Sequence, residues 1–243
     1  MPLTELSRIQ ILELDQSEIC GQLSGAEVVY IFKQADGFWS FDYRAADQGR
    51  AGYHAEMPSG LCADGFFFSK PVLDRENLCQ IMAEQLWIRY RALSRRRPTR
   101  VIGIPNGANR LAKELARQQE LDCSELIKTG NSFTLKEPIG SGEILLFLED
   151  FCRGATNLSD GISAVMTEAP KCELTDFQMV ILNCGGRSTV EALGKTFGLG
   201  SLSTHKSNQW RPANCPLCRM GSKRIGPKES EENWRLLVTG QLA

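Results

Sequence analysis

Two adjacent carboxylates followed by a turn of small residues are the part of this sequence best suited to chemistry. Glu149 and Asp150 come directly after the apolar run 144–148, and residues 153–157 then read Arg-Gly-Ala-Thr-Asn. Such an acid pair can hold a hydrated magnesium ion or the hydroxyl groups of a sugar. A helix is expected after the turn, and free N–H groups at a helix start bind phosphate oxygens. The segment predicts a site for a phosphorylated sugar; the alternative is an ordinary strand-to-helix turn with solvated acids.

The elements that would position this site are read from the apolar runs. The run 144–148 is too short for a helix and is apolar on both alternating faces, which predicts a central strand of a buried parallel sheet. Further strands are predicted over residues 101–104, 123–127 and 177–182, and helices over 74–93 and 110–120. Before residue 57, short apolar runs alternate with turns and predict a cap of helices and strands. An aromatic group predicted to be core lies in this cap: Phe38, Trp39, Phe41 and Tyr43.

The acid segment resembles the 5-phosphoribosyl 1-diphosphate (PRPP) signature of type I phosphoribosyltransferases. In that signature a hydrophobic strand leads into two acids and a Thr/Gly turn that wraps the sugar 5-phosphate. The resemblance covers roughly residues 57–205 and implies an α/β fold with a parallel sheet of about five strands flanked by helices. The parts that flank this range are predicted to form a small hood and a C-terminal extension that contains a Cys-x-x-Cys pair. The predicted domains are 1–205, with the hood, and 206–243.

The resemblance implies a role for each part of the site. Glu149 and Asp150 hold the ribose hydroxyls and act in catalysis, with Lys136 as the cation of a catalytic loop. The residues implied for the 5-phosphate are Arg153, Gly154, Ala155, Thr156 and Asn157. Those implied for the diphosphate are Asn106, Gly107, Ala108, Asn109 and Lys128. Magnesium is the implied cofactor, PRPP and a nitrogenous base are the implied partners, and a homodimer is the implied assembly.

A second stretch narrows the resemblance to the orotate phosphoribosyltransferases. Residues 59–70 are similar to the N-terminal segment of those enzymes, in which a Ser-Gly and an aromatic pair precede a long helix. Phe66 and Phe67 are thereby implied to line the base pocket, and Arg187 to pair with the carboxylate of orotate. A flat base needs an apolar face on which to stack. The alternative for each phenylalanine is a strand residue buried in a hairpin.

Three departures from the orotate enzymes leave other functions open. Segment 129–138, which occupies the place of their mobile catalytic loop, contains no histidine. Pro58 stands in place of a lysine, and Asn183 and Cys184 stand in place of an Asp-Arg pair. Transfer to an orotate-like pyrimidine is the first choice. The alternatives are a transferase for another base, the reverse phosphorolysis, and a catalytically weak PRPP- or nucleotide-binding regulatory protein.

The cysteines predict reduced thiols and one candidate metal site. Nine cysteines are an odd number, and most are scattered singly, which is typical of a cytoplasmic protein without a disulfide framework. Cys215-Pro-Leu-Cys218 has the spacing of half a zinc site, and two more ligands are needed. The candidates for them are Cys184 and His205, with Cys62 or Cys152 where the fold brings them close. Two free thiols are the alternative.

Composition excludes several classes of partner. The formal net charge is −1, which gives no general attraction to nucleic acid or to membranes. The arginines at 95–97 are the main basic run, and at a helix end such a run complements the helix dipole. No apolar run has the length of a membrane span, and the first ten residues lack the pattern of a signal peptide. We therefore expect a cytoplasmic protein that does not bind membranes. A nucleic-acid module, resting only on the arginines at 95–97 and the half zinc site, is the weakest alternative.

Overall fold

A computed structural model describes residues 2–130 and 132–242. The helices are α1 Arg8–Glu13, α2 Gly25–Gln34, α3 Tyr43–Asp47, α4 Lys70–Leu73, α5 Glu76–Leu93, α6 Asn109–Gln119, α7 Thr156–Glu168, α8 Pro216–Arg219 and α9 Glu231–Thr239. The strands are β1 Phe38–Ser40, β2 Tyr53–Glu56, β3 Cys62–Ala63, β4 Gly65–Phe67, β5 Arg100–Gly103, β6 Asp122–Thr129, β7 Ser132–Leu135, β8 Ile144–Cys152, β9 Glu173–Leu174, β10 Phe177–Asn183, β11 Thr189–Ala192, β12 Lys195–Thr204, β13 Gln209–Trp210 and β14 Lys223–Ile225. Within the described ranges, none of these helices combines the length and apolarity needed to cross a membrane.

Internal contacts divide the chain into two compact units. The first unit contains the described residues up to Gln34 and the segment Ser69–Lys206. The second unit contains Ala35–Phe68 and the described residues from Ser207 onward. The predicted boundary between 205 and 206 lies beside this junction, although the predicted larger domain also included 35–68. A division by internal contacts does not test whether each predicted domain folds on its own. The domains 1–205 and 206–243 therefore stay a prediction.

The first unit is built on one large sheet. Its strands follow the order β11-β12-β10-β8-β5-β6-β7, and β9 also pairs with β8. Neighbouring strands from β12 to β6 are parallel, whereas β11 and β7 pair antiparallel at the two edges. The sheet thus has five consecutive parallel strands among the described residues. The predicted parallel sheet flanked by helices is confirmed.

The apolar runs explain why β8 and β10 occupy the centre of this sheet. Residues 145–148 of β8 and 179–182 of β10 are fully buried, as expected for strands covered on both faces. Helix α7 packs its buried Leu158, Ile162 and Val165 into a core cluster that includes residues of β5 and β8. At Gly161 an added Cβ would lie 2.5 Å from the Ile104 Cδ1 atom, so the missing side chain permits this close packing.

Two element boundaries differ from the sequence prediction and both bear on the site. Strand β8 continues to Cys152, so the acid pair lies within the strand and not after it. Strand β6 continues to Thr129 and then pairs antiparallel with β7. The segment 129–138 therefore begins as a β-hairpin. Asn131 lies outside the described residues.

The second unit contains two small sheets. Strands β1 and β4 pair antiparallel, and the other sheet has the order β13-β3-β2-β14. Strand β14 pairs parallel with β2, so a C-terminal segment completes a sheet begun near residue 53. Trp39 and Phe41 are buried in the core of this unit, as the sequence predicts, whereas Tyr43 is exposed.

Candidate functional site

The acid pair lies near the carboxyl end of the central strand β8. Glu149 is only 4% exposed, and its Oε2 atom has no hydrogen-bond partner among the described residues. Asp150 is half-buried and accepts a hydrogen bond from the Ser69 hydroxyl at 2.6 Å. The Phe151 N–H donates to Asp150 Oδ1 at 2.9 Å. The two neighbouring carboxyl groups thus have different surroundings, because one is anchored by a hydroxyl and the other keeps an unused buried oxygen.

Burial sets the protonation of Glu149. The loss of water around its carboxyl group raises its pKa to about 8, and the adjacent charge of Asp150 contributes in the same direction. A hydrogen bond from Asn157 and the charge of Lys128 oppose this rise and are the smaller effects. The carboxyl group therefore carries a proton at neutral pH. A buried acid with a raised pKa and an unpaired oxygen is typical of a binding or catalytic site.

Lys128 is linked to the acid pair through one side chain. Its Nζ donates to Asn157 Oδ1 at 2.8 Å, and Asn157 in turn hydrogen-bonds the carboxyl group of Glu149. Lys128 lies near the end of β6, where its Nζ is 5.1 Å from the centre of the Phe133 ring on the paired strand β7. A cation, an amide and a carboxyl group from three different elements thus form one chain of contacts.

The turn after β8 leads directly into helix α7. Ala155 has φ +62°, the left-handed region that non-glycine residues seldom adopt, and Thr156 is the first helical residue. Because alanine has no side-chain oxygen, Ala155 cannot cap the first N–H groups of the helix. At Gly185 an added Cβ would lie 1.9 Å from the Arg153 carbonyl oxygen, so the next strand end packs against this turn. The turn provides a helix start of the kind that binds anions.

The loop after β5 approaches the same carboxylates. An added Cβ at Gly107 would lie 1.9 Å from Asp150 Oδ2, so only glycine allows this approach. The peptide bond between Pro105 and Asn106 is cis. Ala108 is buried, and the side-chain amide of Asn109 donates to the Leu126 carbonyl at 3.2 Å. Of the residues predicted for the diphosphate, Gly107 and Lys128 are therefore linked to the acid pair, whereas the Asn109 amide is used to hold α6 to β6.

Lys136 lies away from this network. Its backbone N–H donates to the Glu125 carbonyl at 3.0 Å, and its Nζ is 3.2 Å from Glu125 Oε2. The same carboxylate pairs with Lys113. Glu125 is the register partner of Gly103, the last residue of β5, and the contacts described for the Lys136 side chain are to Glu125 and not to the acid pair. Its catalytic role stays a prediction.

The residues predicted for the base are distributed over both units. Phe66 and Phe67 are buried in the second unit, where Phe67 stacks on Phe38 at a centroid distance of 4.3 Å and Phe66 contacts Trp234 at 6.0 Å. Arg187 is an exposed residue of the first unit. Its backbone N–H donates a hydrogen bond to Asn183 Oδ1, and its carbonyl accepts one from Asn183 Nδ2. Their role in base binding stays a prediction.

A second cluster, of one imidazole and three thiols, lies within the second unit. The ligand-type atoms of His54, Cys62, Cys215 and Cys218 all lie within 4.8 Å of one another. His54 Nε2 is 3.5 Å from the Cys218 sulfur and 3.8 Å from the Cys215 sulfur, and the sulfurs of Cys62 and Cys218 are 3.9 Å apart. Burial lowers the pKa of His54 to about 4, with the charge of Arg224 as the smaller cause. The imidazole is therefore neutral and able to bind a metal.

This cluster corrects the ligand set predicted around the Cys-x-x-Cys pair. Cys184 and His205 belong to the first unit and are not members of the cluster. The Cys184 N–H donates to the Cys152 carbonyl at 2.6 Å, and the His205 N–H donates to the Asn183 carbonyl at 3.2 Å. Cys184 and His205 directly follow the ends of the neighbouring strands β10 and β12.

Three residues of these two clusters were not predicted from sequence. Ser69 donates to Asp150, His54 is a member of the thiol cluster, and the Ser222 hydroxyl is 3.0 Å from His54 Nδ1. The only available signal was for His54, because the chain has just two histidines and zinc sites commonly use one. Nothing in the local sequence distinguishes either serine from the others.

Comparison with known proteins gives fold similarity alone. No family model matches the chain, and no curated protein matches it. Among solved structures, orotate phosphoribosyltransferase from Aeropyrum pernix has a TM-score of 0.53 and 14% identity over 73% of this chain and 93% of that one. UMP synthase from Leishmania donovani has a TM-score of 0.50 and 10% identity over 85% of this chain and 42% of that one. The chain thus spans under half the length of the second protein. It has the type I phosphoribosyltransferase fold, and the predicted fold class is confirmed.

Proposed function

We propose that this protein transfers the phosphoribosyl group of PRPP to a nitrogenous base and releases diphosphate, with an orotate-like pyrimidine as the first choice of base. The observation that carries the proposal is the convergence of three elements on one acid pair. Asp150 contacts the loop at Gly107, and Glu149 is connected through Asn157 to Lys128. This combination of acids, an anion-binding turn and a lysine suits a phosphorylated sugar with a diphosphate group.

Each part of PRPP has a matching group in the proposed site. The 5-phosphate binds the turn 153–157, where the helix start of α7 supplies N–H groups and the positive end of its dipole. The diphosphate binds the loop 106–109 and Lys128. The ribose hydroxyls bind the carboxyl groups of Glu149 and Asp150. The unused Glu149 oxygen supports this assignment, since a sugar hydroxyl would satisfy it.

The residues present also fit a magnesium ion. Glu149 and Asp150 are adjacent carboxyl groups, and one buried oxygen has no protein partner among the described residues. Oxygen ligands of this kind, supplemented by water and substrate oxygens, are those that magnesium prefers. Glu149 and Asp150 would hold the ion directly or through water. When bound, it neutralises charge on the diphosphate.

The reaction requires the site to stabilise positive charge on the sugar. A nitrogen lone pair of the base forms a bond to the anomeric carbon, the bond from that carbon to the diphosphate oxygen breaks, and its electron pair leaves with diphosphate. The nitrogen then gives up its proton when it carries one. Asp150 and an ionised Glu149 favour the cationic sugar electrostatically. Burial disfavours the ionised form of Glu149. Positive charge on the sugar favours that ionised form, so the attraction between them is greatest when the sugar is cationic.

Three side chains are assigned to the base. Phe66 and Phe67 would present apolar faces, and Arg187 is exposed and would pair with a carboxylate. Lys136 is retained as a candidate catalytic cation. A transferase for another base, or the reverse phosphorolysis, is the alternative supported by Asn183 and Cys184 in place of Asp-Arg. A homodimer and a cytoplasmic location complete the proposal.

A second candidate function is PRPP or nucleotide binding with little turnover. The observation in its favour is the hairpin of β6 and β7, which takes the place of a mobile loop and holds Lys136 against Glu125. A loop held in this way does not close over the diphosphate and shield it from water.

Diphosphate release distinguishes these functions. The full chain is incubated with PRPP, with and without magnesium, and with orotate, uracil, adenine or guanine, and diphosphate is measured together with PRPP binding by calorimetry. We expect magnesium-dependent binding and release with one base, both reduced at least about tenfold in Asp150→Asn. Asp47→Asn, at an exposed position of the second unit, is the matched control. Binding without release would favour the second candidate, and absence of PRPP binding would reject both.

A further inference from the structure

The imidazole and three thiols of the second unit have the spacing of ligands around a metal ion. Zn–S bonds of about 2.3 Å and Zn–N bonds of about 2.0 Å at tetrahedral angles place two sulfurs about 3.8 Å apart and a sulfur about 3.5 Å from the nitrogen. The observed distances are 3.9 Å between the sulfurs of Cys62 and Cys218, and 3.5 and 3.8 Å from His54 Nε2 to the sulfurs of Cys218 and Cys215. Cys62 and Cys218 do not form a disulfide, because that bond would hold their sulfurs about 2 Å apart.

We propose that His54, Cys62, Cys215 and Cys218 bind one zinc ion in a closed structural site. Three thiolates and one imidazole are a common ligand set of structural zinc. The set is complete with four ligands, so no position remains open for a water or a substrate. His54, Cys62 and Cys215 are buried, and Cys218 is half-buried. Such a site contributes to folding and not to catalysis.

A hydrogen-bond chain orients His54 for this role. The Ser222 hydroxyl donates to the Gly52 carbonyl at 3.3 Å and is 3.0 Å from His54 Nδ1. Because that hydroxyl has one hydrogen and gives it to the carbonyl, its oxygen accepts the hydrogen of Nδ1–H. The lone pair of Nε2 is then directed at the sulfurs. A second partner that fixes the imidazole in this way is the usual accompaniment of a histidine ligand.

The position of the cluster explains why a metal would be useful there. The second unit has strands of only two to four residues and is assembled from two segments far apart in the chain. His54 and Cys62 come from the first segment, and Cys215 and Cys218 come from the second. Small units with limited cores commonly depend on a metal or on disulfides. One ion would fasten both segments together, and this inference does not rest on the proposed activity.

Metal analysis of the full chain tests the site. The protein is purified under reducing conditions from zinc-supplemented medium, and its zinc content is measured by mass spectrometry. We expect one zinc ion per chain, reduced at least about tenfold in Cys215→Ser and in His54→Ala. Cys184→Ser and His205→Asn remove the same residue types outside the cluster and are expected to keep the ion. Zinc retained in Cys215→Ser, or lost in Cys184→Ser, would overturn the proposal.

A second measurement keeps the test valid if the cluster variants fail to fold. Wild-type protein is stripped with a chelator and titrated with Co²⁺, whose absorption reports tetrahedral thiolate coordination. We expect one equivalent to give that spectrum and one equivalent of Zn²⁺ to abolish it. Ser222→Ala is expected to weaken the binding about tenfold, since only the partner of the imidazole is lost. A wild-type chain that holds no zinc and gives no such Co²⁺ spectrum would refute the site, whatever its activity toward PRPP.

Discussion

The buried carboxyl group of Glu149 should make the stability of the protein fall as the pH rises. Its pKa is about 8 in the folded protein, whereas an unperturbed glutamate has a value of 4.5. Between these two values the unfolded chain has released the proton and the folded chain still holds it. The folded state binds more protons in this window, so raising the pH favours unfolding. Glu149→Gln removes this dependence because its amide does not titrate.

The structure gives the size of the effect. A difference of one pKa unit corresponds to about 1.4 kcal/mol, so the stability difference between wild type and Glu149→Gln should change by up to about 1.4 kcal/mol per pH unit. Between pH 5 and pH 8 the change adds up to about 3.5 kcal/mol, and the wild type becomes less stable relative to Glu149→Gln as the pH rises. The side chain is 4% exposed, so screening by water reduces this value little.

Urea unfolding of both proteins in magnesium-free buffer measures this difference. Circular dichroism follows the transition, and hydrogen exchange of the peptide covering 144–152 assigns it to the first unit. Glu137→Gln removes a carboxylate from an exposed position and controls for the change in net charge. Equal differences between wild type and Glu149→Gln at pH 5 and pH 8, or a difference that grows in the opposite direction, would refute a protonated Glu149 in the folded state.

Four further substitutions test the contacts around Asp150 and the two lysines. Gly107→Ala places a methyl group 1.9 Å from an Asp150 oxygen and should lower PRPP affinity at least about tenfold with an unchanged dichroism spectrum; normal affinity would contradict the close approach. Ser69→Ala removes the donor to Asp150 and should cost about 1 to 2 kcal/mol in urea unfolding; no loss would show that this hydrogen bond does not stabilise the fold. Lys128→Ala should weaken PRPP binding roughly tenfold in calorimetry, whereas Lys136→Ala should leave it nearly unchanged. A slower turnover of Lys136→Ala at unchanged affinity would instead support its catalytic assignment.

The central strands are predictable from sequence because their signal is local. Strand β10 is predicted over 177–182 and runs over Phe177–Asn183, since its apolar residues 179–182 are buried whichever face they point to. The same holds for the start of β8. Its end is not predictable in this way, because the acids that follow Leu148 are polar and yet one of them, Glu149, remains buried in the strand.

The hairpin of β6 and β7 depends on contacts that the sequence does not display. Strand β7 has four residues, which is too short for a clear alternation of polar and apolar side chains. Its pairing brings Phe133 beneath the Lys128 ammonium group, a contact that exists only once the register is set. The sequence could therefore suggest a catalytic loop that lacks its histidine but not the replacement of that loop by a hairpin.

The ligand set of the thiol cluster also depends on a contact that the sequence does not display, here between residues far apart in the chain. The spacing of Cys215 and Cys218 indicates half a metal site, because both residues belong to one turn. His54 is 161 residues from Cys215 in the chain, and it reaches the cluster because Arg224 is its register partner in the parallel pair of β2 and β14. No local pattern encodes that pairing.

The parallel pairing of β2 with β14 also bears on shortened versions of the protein. A chain ended after residue 206 would keep the large sheet but leave segment 35–68 with an uncovered strand edge at Tyr53–Glu56. Such an edge invites pairing with other chains and aggregation. Truncation at the C-terminus is therefore tolerable only if the segment near residue 53 is removed as well. A shortened version should keep β2 and β14 together or omit both.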